Sequence, residues 1–276
     1  MDDLETLAYE QRDGVAVLTL NRPEFHNAFN FKMQTELRYV WQSLRGNDDV
    51  RVVILTGAGD KAFCAGIDRF ESIDAYLADP EGRNRSTGRV STPFMFNDPG
   101  AYILPKQNDM WKPVVAAVNG LACGGALYML GEADIIISAD HATYFDPHVT
   151  YGMVAGFESV HLLQKLPLGE VLRCQLLGAH ERISAQRAHQ VGLVSEVVPL
   201  DRLLERAWWV AERIASAPPL AIQGTVRSIW MAHEVGRREA VSQVSSLVLL
   251  GTKYDNLASG QDQFKKNTER VEWELR

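Results

Sequence analysis

Apolar residues recur along this chain in two rhythms. Between Thr6 and Asn21 two short apolar runs flank Arg12-Asp13-Gly14, and an Asp-Gly pair in that setting predicts a β-hairpin. From Asn30 to Arg45 the rhythm is helical, with Met33, Leu37, Val40, Trp41 and Leu44 on one stripe. Three continuous apolar, mostly β-branched runs follow: Arg51–Thr56 ended by Gly57, Pro113–Val118 ended by Asn119-Gly120, and Asp134–Ser138. Unbroken runs of that length predict strands buried on both faces, and strands alternating with helices predict an α/β protein. Beyond about Ser184 strands become rare. Helices are predicted over Ala185–Val191, Leu200–Ser216 and Leu220–Leu250, with Ala217-Pro218-Pro219 as a break. The expected division is a core over residues 1–200 and a helical region over 201–276.

One segment fits neither rhythm. Residues 79–105 carry Arg83, Arg85 and Arg89, the glycines 82, 88 and 100, and Pro80, Pro93, Pro99 and Pro105. A stretch of this length and composition inside a compact protein is expected to be a functional cover or a locally disordered insertion. Composition narrows the function classes. A formal net charge of −7 argues against a nucleic-acid face and against general attraction to anionic membranes. No apolar run reaches the roughly 20 residues of a membrane span. The acidic start, Met1-Asp2-Asp3-Leu4-Glu5, lacks the pattern of a signal peptide. Cys64, Cys123 and Cys174 are scattered without metal spacing, so neither a metal site nor a disulfide framework is expected. The expectation is a cytoplasmic protein without membrane or nucleic-acid partners.

Two glycine-bearing turns carry the chemical signal. One is Ala62-Phe63-Cys64-Ala65-Gly66-Ile67-Asp68; the other is Asn119-Gly120-Leu121-Ala122-Cys123-Gly124-Gly125-Ala126-Leu127. Small residues let a ligand approach the backbone, and a helix starting near Gly124 offers free N–H groups. Two N–H groups converging on one oxygen would stabilise an enolate or tetrahedral oxyanion. The plainer alternative is that the glycines only permit tight strand–helix packing.

The wider context resembles the enoyl-CoA hydratase/isomerase (crotonase) superfamily. Leu20-Asn21-Arg22-Pro23, Asn27-Ala28, the Ala62–Asp68 turn, Ala116-Ala117-Val118-Asn119-Gly120 with Gly124-Gly125, Asp134-Ile135-Ile136, Leu177-Gly178, Arg182-Ile183-Ser184-Ala185 and Gly192-Leu193-Val194 occur in the family's order. The resemblance spans roughly residues 5–270. It implies a β-β-α spiral core, a C-terminal helical trimerisation region, and a homotrimer or homohexamer. It also implies an acyl-CoA thioester as partner, with coenzyme A part of the substrate and no separate cofactor. The oxyanion donors would be the backbone N–H groups of Ala65 and Gly125. Ala65, Gly66, Ile67 and Asp68 would lie along the CoA, and Phe264, Lys265 and Lys266 near its nucleotide end, unless those lysines are a solvated helix face.

The pattern then breaks. A family hydratase uses two glutamates to hold and activate water; the corresponding positions here are Tyr128 and His148. Tyrosine is a weak base near neutrality, with an ordinary pKa of about 10, whereas histidine titrates there. The replacement points to isomerisation or carbon–carbon hydrolysis rather than ordinary hydration. Two alternatives are a hydratase using Tyr and His, and a non-catalytic acyl-CoA sensor or carrier. Tyr128 and His148 could also be structural. Glu158 is the remaining acid of interest, expected to orient His148 if the chain folds back after Tyr151. Asp146 comes next, although on an extended segment its side chain could point away.

Overall fold

The computed structural model describes residues 1, 3–78, 99–255, 257–258 and 273–275. The segment at 79–98, with its three arginines, and the positions Phe264, Lys265 and Lys266 lie outside the described residues.

The hairpin is β1 (Leu7–Arg12) and β2 (Val15–Leu20). Its turn places Asp13 and Gly14 at φ 52° and 79°, the left-handed pair that matches the twist of the strands. Next come α1 (Phe31–Arg45), β3 (Val52–Gly57), β4 (Ala62–Cys64), α2 (Arg69–Ala78), α3 (Gly100–Ile103), β5 (Val114–Val118), β6 (Leu121–Cys123), α4 (Ala126–Glu132), β7 (Ile135–Ala139) and β8 (Thr143–Phe145). The chain continues through α5 (Phe157–Leu162), α6 (Leu168–Leu177), β9 (Ile183–Ser184), α7 (Ala185–Gln190), β10 (Glu196–Val198), α8 (Leu200–Ala215), α9 (Pro219–Glu234) and α10 (Arg237–Gly251).

A six-stranded sheet runs in the order β1-β2-β3-β5-β7-β10, parallel except for the hairpin. The three unbroken apolar runs are its buried strands β3, β5 and β7. Successive side chains on them face opposite sides, so each face carries its own core. Leu18, Leu20, Val53, Leu55, Ala116 and Val118 pack with the Met33–Leu37–Val40–Trp41–Leu44 stripe of α1. Trp41 Nε1 donates to the Ile103 carbonyl at 2.9 Å, which ties α3 to that helix. The opposite face (Val15, Val17, Val52, Ile54, Val115, Ala117, Ile137, Ala139) is covered by Leu203, Ala207, Ala211 and Ala215 of α8.

That second contact moves the domain boundary. The first compact unit is Met1–Ala215 and the second Ser216–Arg276, whereas the sequence suggested a break at 200. Helix α8 belongs with the core because its alanine face lies on the sheet. In the second unit, the helix expected over Leu220–Leu250 is two helices, α9 and α10, interrupted at Val235-Gly236. Among the described residues no helix is long and apolar enough to cross a membrane.

A smaller sheet, β4-β6-β8-β9, carries the two glycine-bearing turns and the turn that holds His148. Strands β4, β6 and β8 are parallel neighbours, so their C-terminal ends share one edge. Three turns leave that edge: Ala65–Asp68, Gly124-Gly125, and Asp146-Pro147-His148.

Candidate active site

The first turn is anchored from behind. Asn27 accepts from the Arg22 N–H at 3.0 Å and donates to the carbonyls of Ala58 and Ala62 at 3.0 and 2.8 Å. Arg22 pairs with Asp68 at 2.9 Å and donates to the Ala28 carbonyl. Asp68 also accepts from the N–H groups of Phe70 and Glu71 at the start of α2. Its carboxylate is therefore engaged inside the protein, and its role here is to hold the turn.

Backbone pairing decides which N–H groups face outward from that turn. The Ala65 N–H donates to the His26 carbonyl at 3.0 Å, so the donor expected from the sequence is already engaged. Phe29 donates to the Gly66 carbonyl at 2.8 Å, and the Asp68 N–H donates to the Phe29 carbonyl at 2.9 Å. Along such a bridge N–H directions alternate, so the Ile67 N–H points away from Phe29. Gly66, at φ 86°, abuts the second turn: a Cβ there would lie 2.8 Å from the Cys123 carbonyl oxygen and 3.0 Å from the Gly125 nitrogen. The two turns therefore do converge, but through Gly66-Ile67 rather than Ala65. Among the described residues, neither the Ile67 nor the Gly125 N–H donates to a protein acceptor.

The third turn brings the titratable groups beside the first two. A Cβ on Gly124 would lie 3.6 Å from His148 Cε1. Asp146 is wholly buried. Its Oδ1 accepts from the His148 backbone N–H at 3.0 Å and contacts His148 Nδ1. Beyond Tyr151 the chain folds back into α5, which places Glu158 Oε1 3.6 Å from His148 Nε2. The buried Tyr128 packs edge-on to Phe157, the neighbour of Glu158 on α5, with His161 tilted 5.3 Å away between centroids. Tyr128, His148 and Glu158 thus form one cluster. The carboxylate on Nδ1 is Asp146 rather than the expected Glu158, which faces the other nitrogen. Asp146 reaches the imidazole because it forms an Asx turn with the residue two ahead, and the Asp-Pro-His sequence carried that signal.

The electrostatics follow from burial and pairing. His148 titrates above its ordinary value, chiefly through the hydrogen bond to Asp146 and then through the charges of Glu158 and Asp146, against desolvation. Burial raises Glu158, partly offset by His148 and the Tyr128 hydroxyl. Burial pushes Cys64 and Cys123, which end β4 and β6, up to about 12, so both stay thiols near neutrality and are poor nucleophiles. Asp146, His148 and Glu158 could each offer one ligand atom to an ion, all within 4.8 Å. Asp146 Oδ1 and His148 Nδ1 are already in hydrogen-bond contact with each other.

Comparison with known proteins agrees with this architecture. The family model described as Enoyl-CoA hydratase/isomerase matches residues 10–248. The (E)-benzylidenesuccinyl-CoA hydratase of Thauera aromatica is 36% identical over 227 residues, 82% of each chain. The short-chain-enoyl-CoA hydratase of Clostridium acetobutylicum is 33% identical over 227 residues, again 82% of each. A crystal structure of an enoyl-CoA hydratase/isomerase from Mycobacterium paratuberculosis superimposes with a TM-score of 0.87 at 36% identity, covering 99% of this chain and 100% of that one. The chain belongs to the enoyl-CoA hydratase/isomerase family of the crotonase superfamily and is an enzyme of that family.

Proposed function

We propose that this enzyme adds water across the double bond of an α,β-unsaturated acyl-CoA, with the thioester oxygen between the N–H groups of Ile67 and Gly125. The pantetheine arm would follow the Ala65–Asp68 turn. The observation that carries the reading is the buried carboxylate of Glu158 lying 3.6 Å from His148 Nε2. Judged by aligned positions, the site lacks the carboxylate that water activation needs. Glu158 supplies one from a different place in the chain, which favours hydration over the isomerase or carbon–carbon hydrolase readings. The two relatives named above are called hydratases, which points the same way.

In this reading Glu158 takes a proton from water as the oxygen attacks the β-carbon. The two N–H groups hold the resulting enolate, and the His148 imidazolium delivers a proton to the α-carbon. Transfer from Glu158 to His148 resets the pair. Assembly into trimers or hexamers is part of the proposal.

The test is a panel of 2-enoyl- and 3-enoyl-CoA esters. Loss of the conjugated enoyl absorbance with formation of a 3-hydroxyacyl-CoA is the expected result. Interconversion of 2- and 3-enoyl esters without water incorporation would make the enzyme an isomerase instead. Binding of every ester without turnover would leave a carrier.

A further inference from the structure

Asp146 is the most deeply buried member of the cluster. It follows β8 directly, is wholly buried, and is separated from His148 only by Pro147. The proline disfavours helical backbone at Asp146, which suits the Asx turn by which Oδ1 receives both the backbone N–H and the Nδ1 side of His148. Among the described residues, Oδ2 has no hydrogen-bond partner. A buried carboxylate with one oxygen unpartnered is tolerated where a positive charge lies against it. The cationic group in contact with Asp146, among the described residues, is the imidazole of His148.

We propose that Asp146 is the positioning residue of this site, keeping the proton on Nδ1 of His148 so that Nε2 alone exchanges protons with Glu158 and substrate. This rests on the reading of His148 as a proton-transfer group. Without Asp146, a neutral imidazole could place its proton on Nε2, where it would face Glu158 with no lone pair to offer. With Asp146, the ring alternates between an Nδ1–H neutral form and an imidazolium opposed by the buried charge, the same service a buried aspartate gives a histidine in hydrolytic triads. The other titratable groups around the pair are Glu158 across the ring, the thiols of Cys123 and Cys174, which feel the charge of Asp146, and Arg182 and Glu181, which act on those thiols. The thiols are raised to about 12 and stay neutral over the range in which His148 titrates.

The experiment compares wild type with Asp146→Asn, using nitrogen-15 labelled histidine and steady-state kinetics. The His148 signals are assigned by their loss in His148→Gln. In wild type the neutral ring should carry its proton on Nδ1. In Asp146→Asn the tautomer should shift toward Nε2–H and the His148 titration should move to lower pH. Turnover should fall by roughly 10²–10⁴-fold with KM changed less than about threefold. Unaltered tautomer, titration and kcat in Asp146→Asn would reduce Asp146 to a turn-forming residue. If that variant does not fold, the wild-type spectrum still decides, since an Nε2–H neutral ring overturns the proposal. The expected tautomers in a protein that turns over no acyl-CoA would sustain the role of Asp146 while sinking the hydration reading.

Discussion

His148 is held at both nitrogens, by Asp146 on one side and within 3.6 Å of Glu158 on the other. Replacing it with alanine is expected to lower turnover by roughly 10²–10⁴-fold, the usual scale for a general acid or base, while acyl-CoA affinity by calorimetry stays near wild type. Normal turnover would make His148 structural. Its titration also has a signature in stability. Because the folded-state pKa is raised, the imidazolium contribution is fully present below the ordinary value of about 6.5 and is lost as pH rises through the folded value. The stability gap between wild type and His148→Gln, read from urea melts, should therefore be widest at acidic pH and narrow on the alkaline side. Gly66 makes a different kind of demand. Alanine there would combine φ 86° with a Cβ pressed against the Cys123 carbonyl oxygen. Gly66→Ala should cost about 1–3 kcal/mol and disable the site, and an active variant of normal stability would show that the turns need not touch.

Elements repeat this logic with whole faces. Helix α8 meets the sheet through Ala207 and Ala211, both fully buried, and alanine is what lets the helix approach so closely. Enlarging Ala211 to leucine should destabilise the first unit by about 1–3 kcal/mol through overpacking, measurable as a lower denaturant midpoint. The hairpin, the stripe of α1 and the three buried strands were legible in sequence because each writes its burial directly into a local pattern. Three things were not. The alanine face of α8 is weakly hydrophobic, so its attachment to the core did not show. The break at Val235-Gly236 lacks a proline and falls inside a continuous helical rhythm. Whether Ala65 or Ile67 turns its N–H outward is a question of strand parity, visible only in the pairing of Phe29 with Gly66 and Asp68 across the turn. The convergence of the two glycine turns and the positions of Tyr128 and His148 could be read from spacing. The side-chain direction of Asp146 needed the Asx turn to be recognised.

Across the whole molecule, the outer surface of α6 exposes Leu168, Leu172 and Leu176 in a row at four-residue spacing. A row of leucines facing solvent suits contact between copies of the chain. Leu172→Glu should shift the protein to smaller species by light scattering; a wild type that is already monomeric at micromolar concentration would dismiss the assembly. The common edge of β4, β6 and β8 has another consequence. The proposed grip on the thioester is made of peptide groups, which no replacement other than proline can delete, whereas the groups proposed to move protons are ordinary side chains from a neighbouring turn and two helices. Chemistry and grip can therefore drift apart under mutation. Installing glutamate at both 128 and 148 should preserve acyl-CoA affinity while hydration of the same 2-enoyl esters passes to the new carboxylates, so that one scaffold can exchange its proton-transfer groups without relearning how to hold its substrate.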